Sequence, residues 1–246
     1  MDNTKYVALS RQMGLWKQMD HVANNMANMN TAGYKSQDVM FKNYVLQSVG
    51  ADGFGKEPVH FAQDFATVKD FTAGAMQHTG NTLDFAIRGD AFFAIETDNG
   101  ELYTKKGQFH LDSNRMIVDS DGQPLLSENG EPFFIAPEEK EIMLSPNGDI
   151  STENGVIGRI KLVEFDDLQE LKKISDSLFD NVDGNAMTMS ANSTVEQGVV
   201  EKSNVNSVAE MTKMISLQRS YEFVQQMIDT EHTRLSDTIQ MYSQLA

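Results

Sequence analysis

Residues 214–245 read MISLQRSYEFVQQMIDTEHTRLSDTIQMYSQL, and the spacing of their apolar side chains decides the fold. Met214, Leu217, Tyr221, Val224, Ile228, Glu231, Leu235, Thr238, Tyr242 and Leu245 alternate at intervals of three and four, and eight of those ten are apolar. A period of about 3.5 residues sustained over this length reads as a coiled-coil seam rather than the stripe of an ordinary amphipathic helix. Neither Gly nor Pro interrupts the chain from Val205 to Ala246. Ser203 or Asn204 stands where an N-cap is needed, so one helix of about 40 residues is expected.

The other end of the chain carries a matching pattern. From Ala8 an alternation of four and three runs through Leu15, Met19, Val22, Met26 and Met29, and Tyr6, Leu9, Met13 and Trp16 form a second row beside it. This predicts a helix with a broad apolar face. It should close near Thr31-Ala32-Gly33, where Gly33 can take the left-handed conformation of a C-terminal cap. A pair of helices buries one stripe of each partner, so the surplus points to contact with further subunits. Met13, Met19, Met26, Met29, Met211, Met214, Met227 and Met241 all lie in these ends. Flexible thioethers suit a surface that repacks against non-identical neighbours.

Between the ends the period changes. Short β-type runs (Leu83–Ile87, Ala91–Ile95, Leu102–Thr104, Met116–Val118, Phe133–Ile135, Ile157–Phe165) are separated by turn residues. The turns are Arg88-Gly89-Asp90, Asp98-Asn99-Gly100, Asp121-Gly122, Glu128-Asn129-Gly130 and Asn147-Gly148-Asp149. Such punctuation predicts an antiparallel β domain. The expected organisation is α+β. A terminal coiled-coil helical domain is built from 1–35 plus 204–246, and an antiparallel mostly-β domain at 76–185 is inserted through an extended connector of 36–75 plus 186–203. Gly50, Gly53, Gly55 and Pro58, then Phe61, Phe65 and Phe71, mark the first half of that connector, and Met187-Thr188-Met189-Ser190 the second.

Composition narrows the function. The chain has 246 residues, 40% of them hydrophobic and 23% charged, as expected of a chain that folds in water. Its net charge of −16 argues against nucleic acid and anionic membranes. The charge is uneven: residues 76–203 hold ten Lys/Arg against twenty-four Asp/Glu, whereas 1–40 hold four against three and 204–246 three against five. Nearly neutral ends can crowd together while an acidic middle faces solvent. The absence of cysteine removes disulfides, thiolate metal sites and Cys nucleophiles. No Sec-type signal follows Met1-Asp2-Asn3-Thr4-Lys5, and no run reaches the ~20 apolar residues of a membrane span.

The residues of a catalytic or metal site do not assemble in the sequence. His21, His60, His78, His110 and His232 are scattered without metal-ligand spacing. Gly53-Phe54-Gly55 lacks a third glycine and a preceding strand. A calcium-loop spacing through Asp119, Asp121, Gly122 and Glu128 begins at Ile117, which cannot ligate calcium, so a β-turn at Asp121-Gly122 is the better reading. Pairs such as Glu138/Glu139 and Asp166/Asp167 are no more than an acidic surface supplies. No catalytic residue, cofactor, metal ligand or small-molecule substrate is assigned.

The stretch Ala23-Asn24-Asn25-Met26-Ala27-Asn28-Met29-Asn30-Thr31-Ala32-Gly33-Tyr34-Lys35 closely resembles the N-terminal signature of the flagellar basal-body rod and hook proteins. Gly198 through Asn206, including Ser203, Asn204 and Val205, with Glu210-Met211, Ile215, Arg219 and Tyr221-Glu222, resembles their C-terminal signature. Thr79 through Phe93 and Tyr103 through Phe109 are similar to the shared β-domain core. Within the family, the length and the single modest β domain look most like the proximal-rod type. Leu171-Lys172-Lys173-Ile174-Ser175-Asp176 lacks the glycine usual in distal-rod and hook types.

The resemblance implies a structural rod subunit of the periplasmic basal body, serving motility. It is exported by the flagellar apparatus without a cleaved signal, and its partners are other rod subunits and further copies of itself. The interface would be the seam of Leu15, Met19, Val22, Met26 and Met29 with Met214, Leu217, Tyr221, Val224, Ile228, Leu235, Tyr242 and Leu245, the two ends meeting only within the rod. Alternatives are a distal-rod or hook-type axial protein, or a ligand-binding β domain on a helical dimerisation stalk.

Overall fold

The apolar stripes at both ends form helices, α1 (Asp2–Ala27) and α2 (Ser207–Leu245), in a computed structural model that describes residues 2–47, 58–98, 100–139, 141–175, 177–182, 184, 187–189 and 193–245. Between them run β1 (Gln37–Gln47), β2 (Pro58–Lys69), β3 (Met76–His78), β4 (Phe85–Arg88), β5 (Phe92–Thr97), β6 (Gly100–Thr104), β7 (Phe109–Leu111), β8 (Ile117–Asp119) and β9 (Met143–Leu144). They are followed by β10 (Asp149–Thr152), β11 (Gly155–Arg159), β12 (Leu162–Phe165), β13 (Lys172–Lys173), β14 (Leu178–Asp180), β15 (Met187–Met189), β16 (Thr194–Gln197) and β17 (Val199–Glu201). The protein is therefore α+β, with a helix at each end and mostly antiparallel β structure between. Two compact units divide it: Met1–Ala27, Gln37–Val68 and Asn206–Ala246 form one, Asn28–Ser36 and Lys69–Val205 the other.

In the first unit α1 packs against α2, and β1 pairs with β2 in a two-stranded sheet. Two hydrogen bonds set the direction of the helix pair: Gln12 Nε2 donates to Gln225 Oε1 at 2.6 Å and Asn25 Nδ2 to Glu210 Oε2 at 3.5 Å. Lower numbers on α1 thus meet higher numbers on α2, and the helices are antiparallel. The pairing forms within a single chain, whereas the sequence led us to expect it only inside an assembly. The N-cap of α2 is Asn206, not Ser203 or Asn204: its Oδ1 accepts the N–H groups of Val208 and Ala209, both at 3.1 Å. The cap falls there because Asn204 is already engaged elsewhere.

The second unit centres on a six-stranded sheet of order β13-β14-β6-β5-β12-β15, in which every neighbouring pair is antiparallel. Successive strand residues point to opposite faces. Phe93, Ile95, Leu102, Leu162 and Leu178 enter one core with Phe85, Ile117, Leu125 and Ile150; Phe92, Ala94, Tyr103, Val163 and Phe179 enter another with Phe165 and Leu171. Both faces being covered, Ala91 through Ile95 reads as a continuous apolar run instead of an alternation. Smaller antiparallel sheets (β11-β10-β9, β16-β4, β17-β3 and β7-β8) complete the unit.

Three local expectations are corrected. The expected run Ile157–Phe165 is two strands, β11 and β12, belonging to different sheets. Phe133–Ile135 joins its neighbours only by an isolated bridge from Phe134 to Met116 and backbone bonds of its flanks. Helix α1 ends at Ala27, before Thr31-Ala32-Gly33. Gly33 is left-handed, with φ +67°, but serves a different purpose from capping, described below. Of the expected connector, Gly50, Gly53, Gly55, Ser190 and Asn192 lie outside the described residues.

Candidate assembly interface

The seam resolves into a small packed core on the helix pair. Ala8, Leu15 and Val224 are buried together, with Leu217, Tyr221 and Ile228 half-buried against them. Val22 is buried, Met19, Met26, Met214 and Leu235 are half-buried, and Met29 is exposed. The side chains of Tyr242 and Leu245 lie outside the described residues. The structure thus joins the middle of the seam within one chain.

The seam leaves apolar side chains over on both helices. On α1, Tyr6, Leu9, Met13 and Trp16 are all exposed, Tyr6 by 61% and Trp16 by 60%. On α2, Val208, Met211, Ile215, Phe223, Met227, Ile239 and Met241 are exposed as well, Phe223 by 68%. Phe223 and Ile239 fall off the three-four alternation and were not among the expected interface residues. The spacing of four between Phe223 and Met227, which puts them on one helix face, is the signal that marks such a second row. Ala8, Phe223, Met227 and Ile228 line a groove of about 380 Å³, with Glu231 at its side.

The two signature segments do a different job. Asn25, buried at the end of α1, holds the backbone of Gln37 from both sides: its Oδ1 accepts the Gln37 N–H at 3.1 Å and its Nδ2 donates to the Gln37 carbonyl at 2.9 Å. Ala23, Asn24 and Ala27 stand on the exposed side of that helix. Beyond the helix, Thr31 donates from Oγ1 to Asn28 Oδ1 at 3.0 Å. The next residues are drawn into the β unit. Gly33 N–H donates to the Glu201 carbonyl at 2.8 Å, and a Cβ on Gly33 would lie 2.4 Å from the Lys106 nitrogen, closer than any side chain allows.

Tyr34 and Lys35 are almost wholly buried. The Lys35 ammonium donates to Glu201 Oε1 at 2.7 Å, the Thr72 carbonyl at 2.8 Å and the Phe71 carbonyl at 3.3 Å, which uses its three protons. Glu201 Oε1 also accepts the Gly74 N–H at 2.8 Å. Asn204 completes the join: its Oδ1 accepts the Ser36 N–H at 2.8 Å and its Nδ2 donates to the Asp70 carbonyl at 2.8 Å. Ser203 Oγ accepts the Val205 N–H at 3.2 Å. Lys173 Nζ stands 3.9 Å from the centre of the Tyr34 ring, a cation–π contact. Lys105 donates to the Gly89 carbonyl at 2.7 Å, and burial pushes its ammonium down to about 8, opposed by Glu201 and reinforced by Lys35. Residues 33–36, 70–75 and 201–204 are therefore clasped together inside the β unit.

Asp119 answers the calcium-loop question locally. Its buried carboxylate accepts the N–H groups of Asp121 and Gln123, each at 2.9 Å, and so builds the turn in which Gly122 has φ +81°. Among the described residues no group of three or more His, Asp or Glu side chains is placed to hold a metal ion, and no helix is long and apolar enough to cross a membrane.

Terminal helices that pair with each other, keep apolar rows outward and flank an antiparallel β insert define a subunit built to pack against further chains. Residues 6–35 match the family described as flagella basal body rod protein, residues 86–152 the D1 domain of the flagellar hook protein FlgE/F/G, and residues 196–241 the C-terminal part of the flagellar basal body rod FlgEFG proteins. The chain belongs to the flagellar basal-body rod protein family. It is 38% identical to the flagellar basal-body rod protein FlgF of Caulobacter vibrioides, over 93% of each chain. It is 34% identical to FlgF of Mesorhizobium japonicum over 90% of each, and 29% identical to FlgG of Bacillus subtilis over 96% of this chain and 97% of that one.

Proposed function

We propose that the protein is a structural subunit of the bacterial flagellar basal-body rod, of the proximal-rod type, acting in motility and not as an enzyme. The observation that carries this is the apolar surface left on both terminal helices after they have paired with each other. Surface of that kind on a terminal helix pair is used by packing against neighbours. On this reading the middle of the seam from Leu15 to Met29 and from Met214 to Leu245 holds the two helices of one chain together, and the rest of it, with the exposed apolar rows beside it, is the assembly interface. It extends into a coiled coil when neighbouring subunits add their own helices. The unit of 1–27, 37–68 and 206–246 then works as the helical domain, and 28–36 with 69–205 as the β domain, in place of the expected division into 1–35 plus 204–246, 36–75 plus 186–203 and 76–185.

Its partners are other rod subunits and further copies of itself in the periplasmic rod. It reaches them through the flagellar export apparatus. The match to FlgG proteins along 97% of the length of one of them favours, as a second reading, another axial position in the same structure.

The test is removal of residues 2–27. A longer cut through residue 35 would also remove Lys35 from Glu201 and damage the β unit, confounding the result. Cells carrying the shorter deletion should lose motility and rod incorporation while the β unit keeps its protection from hydrogen exchange. Rods that still form with the deleted chain in them would sink the proposal.

A further inference from the structure

The chain has 15 methionines and no cysteine, so thioethers are the only sulfur it offers to an oxidant. Exposure divides those of the helix pair into two sets. Met19, Met26 and Met214, which stand on the seam, are half-buried. Met13, Met211 and Met227 are exposed, by 60%, 54% and 46%. Each of these three lies one helical turn from other exposed apolar side chains: Met13 between Leu9 and Trp16, Met211 between Val208 and Ile215, and Met227 four residues after Phe223. Their sulfurs therefore sit within the apolar surface that the paired helices leave open, where solvent reaches them while the chain is free.

We propose that Met13, Met211 and Met227 are sites of reversible oxidation to methionine sulfoxide by peroxide, and that this modification keeps the free chain out of the rod. The proposal rests on the rod reading and adds a regulation to its assembly surface. In the reaction a sulfur lone pair attacks one oxygen of hydrogen peroxide and an S–O bond forms as the O–O bond breaks. The other oxygen leaves as hydroxide and takes up a proton to become water, so the sulfur loses two electrons and the peroxide gains them. The product is polar where the thioether was apolar. Its oxygen is well hydrated on the free chain and loses that hydration, without a partner, when the surface is packed against a neighbour. The seam methionines are shielded, so the helix pair itself stays intact and only its outer surface changes character. Sulfoxide reductases return the thioether, which makes the block reversible. Packing in turn covers the three sulfurs, so oxidation acts before assembly and not after it.

Purified full-length chain treated with hydrogen peroxide and mapped by peptide mass should gain oxygen at Met13, Met211 and Met227 several-fold faster than at Met19, Met26 and Met214. Its circular dichroism should not change. In isolated rods the same three sulfurs should react several-fold more slowly than in the free chain. The triple variant Met13→Leu, Met211→Leu, Met227→Leu keeps the surface apolar and removes the oxidisable sulfur. Cells grown in sublethal peroxide should place several-fold less wild-type chain in new rods, and as much of this variant as untreated cells do. Replacing the same three residues by Gln supplies the polarity without the oxidant, and should abolish swimming and rod incorporation while the purified chain keeps its circular dichroism. Equal oxidation rates in the two sets, equal rates in rods and free chain, equal losses of wild type and leucine variant under peroxide, or normal incorporation of the glutamine variant would each overturn the oxidation block and leave the rod reading standing. Absence of the unmodified chain from isolated rods would overturn the rod reading, and this regulation with it.

Discussion

Lys35 and Glu201, 166 residues apart in sequence, meet at 2.7 Å with both side chains almost fully buried. The contact joins the N-terminal signature to the C-terminal one, inside the β unit and not on the helical surface. A buried pair is weak evidence of net stabilisation, but removing one partner strands the other charge in a dry site. Lys35→Met should therefore destabilise the chain by about 3–5 kcal/mol, visible as a lower urea midpoint. Adding Glu201→Leu should restore part of that loss, because the carboxylate left without Lys35 is then gone, and only part because Lys105 loses the opposing charge of Glu201. Equal midpoints for the wild type and Lys35→Met would show that the clasp does not hold the unit together.

Gly33 tests the same clasp through the backbone. Its φ of +67° disfavours any L side chain, and a Cβ there would press on the backbone of Lys105 and Lys106. Gly33→Ala should cost more than about 2 kcal/mol by strain and steric displacement combined. Faster amide exchange in residues 33–36 and 201–204 is the expected signature. An alanine variant that matches the wild type in both measurements would refute the close approach.

The helices and the central strands were legible from local pattern because their causes are local. A sustained period of three and four makes α2 readable without any partner, and Asp121-Gly122 announces a turn because the Asp119 carboxylate caps it two residues away. The ends of elements were less legible because their causes are distant. Helix α1 stops at Ala27 since Gly33, Tyr34 and Ser36 spend their backbone groups on Glu201, Asn204 and Asp70, which no window around residue 30 contains. The cap of α2 lies at Asn206 for the same reason. Among the candidate site residues, the apolar seam followed from spacing. The burial of Ala32 through Lys35 and of Glu201 and Ser203 did not, because a polar, glycine-bearing signature looks like surface until its hydrogen-bond partners are known.

Lys105 makes stability depend on pH in an uncommon direction for a lysine. Burial lowers its folded pKa to about 8 from a usual 10.5, so between those values the unfolded chain binds more protons than the folded one. Stability should rise as pH increases from about 8 towards 10.5, by up to about 1.4 kcal/mol per pH unit from this group. Below pH 8 both states hold the proton and the contribution is flat. Lys105→Met should remove the rise, whatever it does to absolute stability through loss of the bond to the Gly89 carbonyl. Urea midpoints measured in half-unit steps from pH 7 to 10.5 decide it: parallel curves for the two proteins would rule out Lys105 as the cause.

Assembly should depend on salt in the sense set by the β unit. Residues 76–203 hold twenty-four acidic against ten basic side chains, and every copy added to an array brings that excess close to its neighbours. Terminal segments that differ by so few charges attract one another weakly by comparison. With a Debye length of about 10 Å at 0.1 M salt and 30 Å at 0.01 M, like charges on adjacent β units repel across most of their separation only in the dilute case. Raising salt from about 0.01 to 0.2 M should therefore strengthen self-association of the purified chain several-fold, measured by sedimentation equilibrium. Apolar burial by the helices is unaffected by screening over this range, so repulsion alone changes. Association that weakens with added salt would mean that attraction between charged surfaces, and not the apolar rows on α1 and α2, drives the copies together.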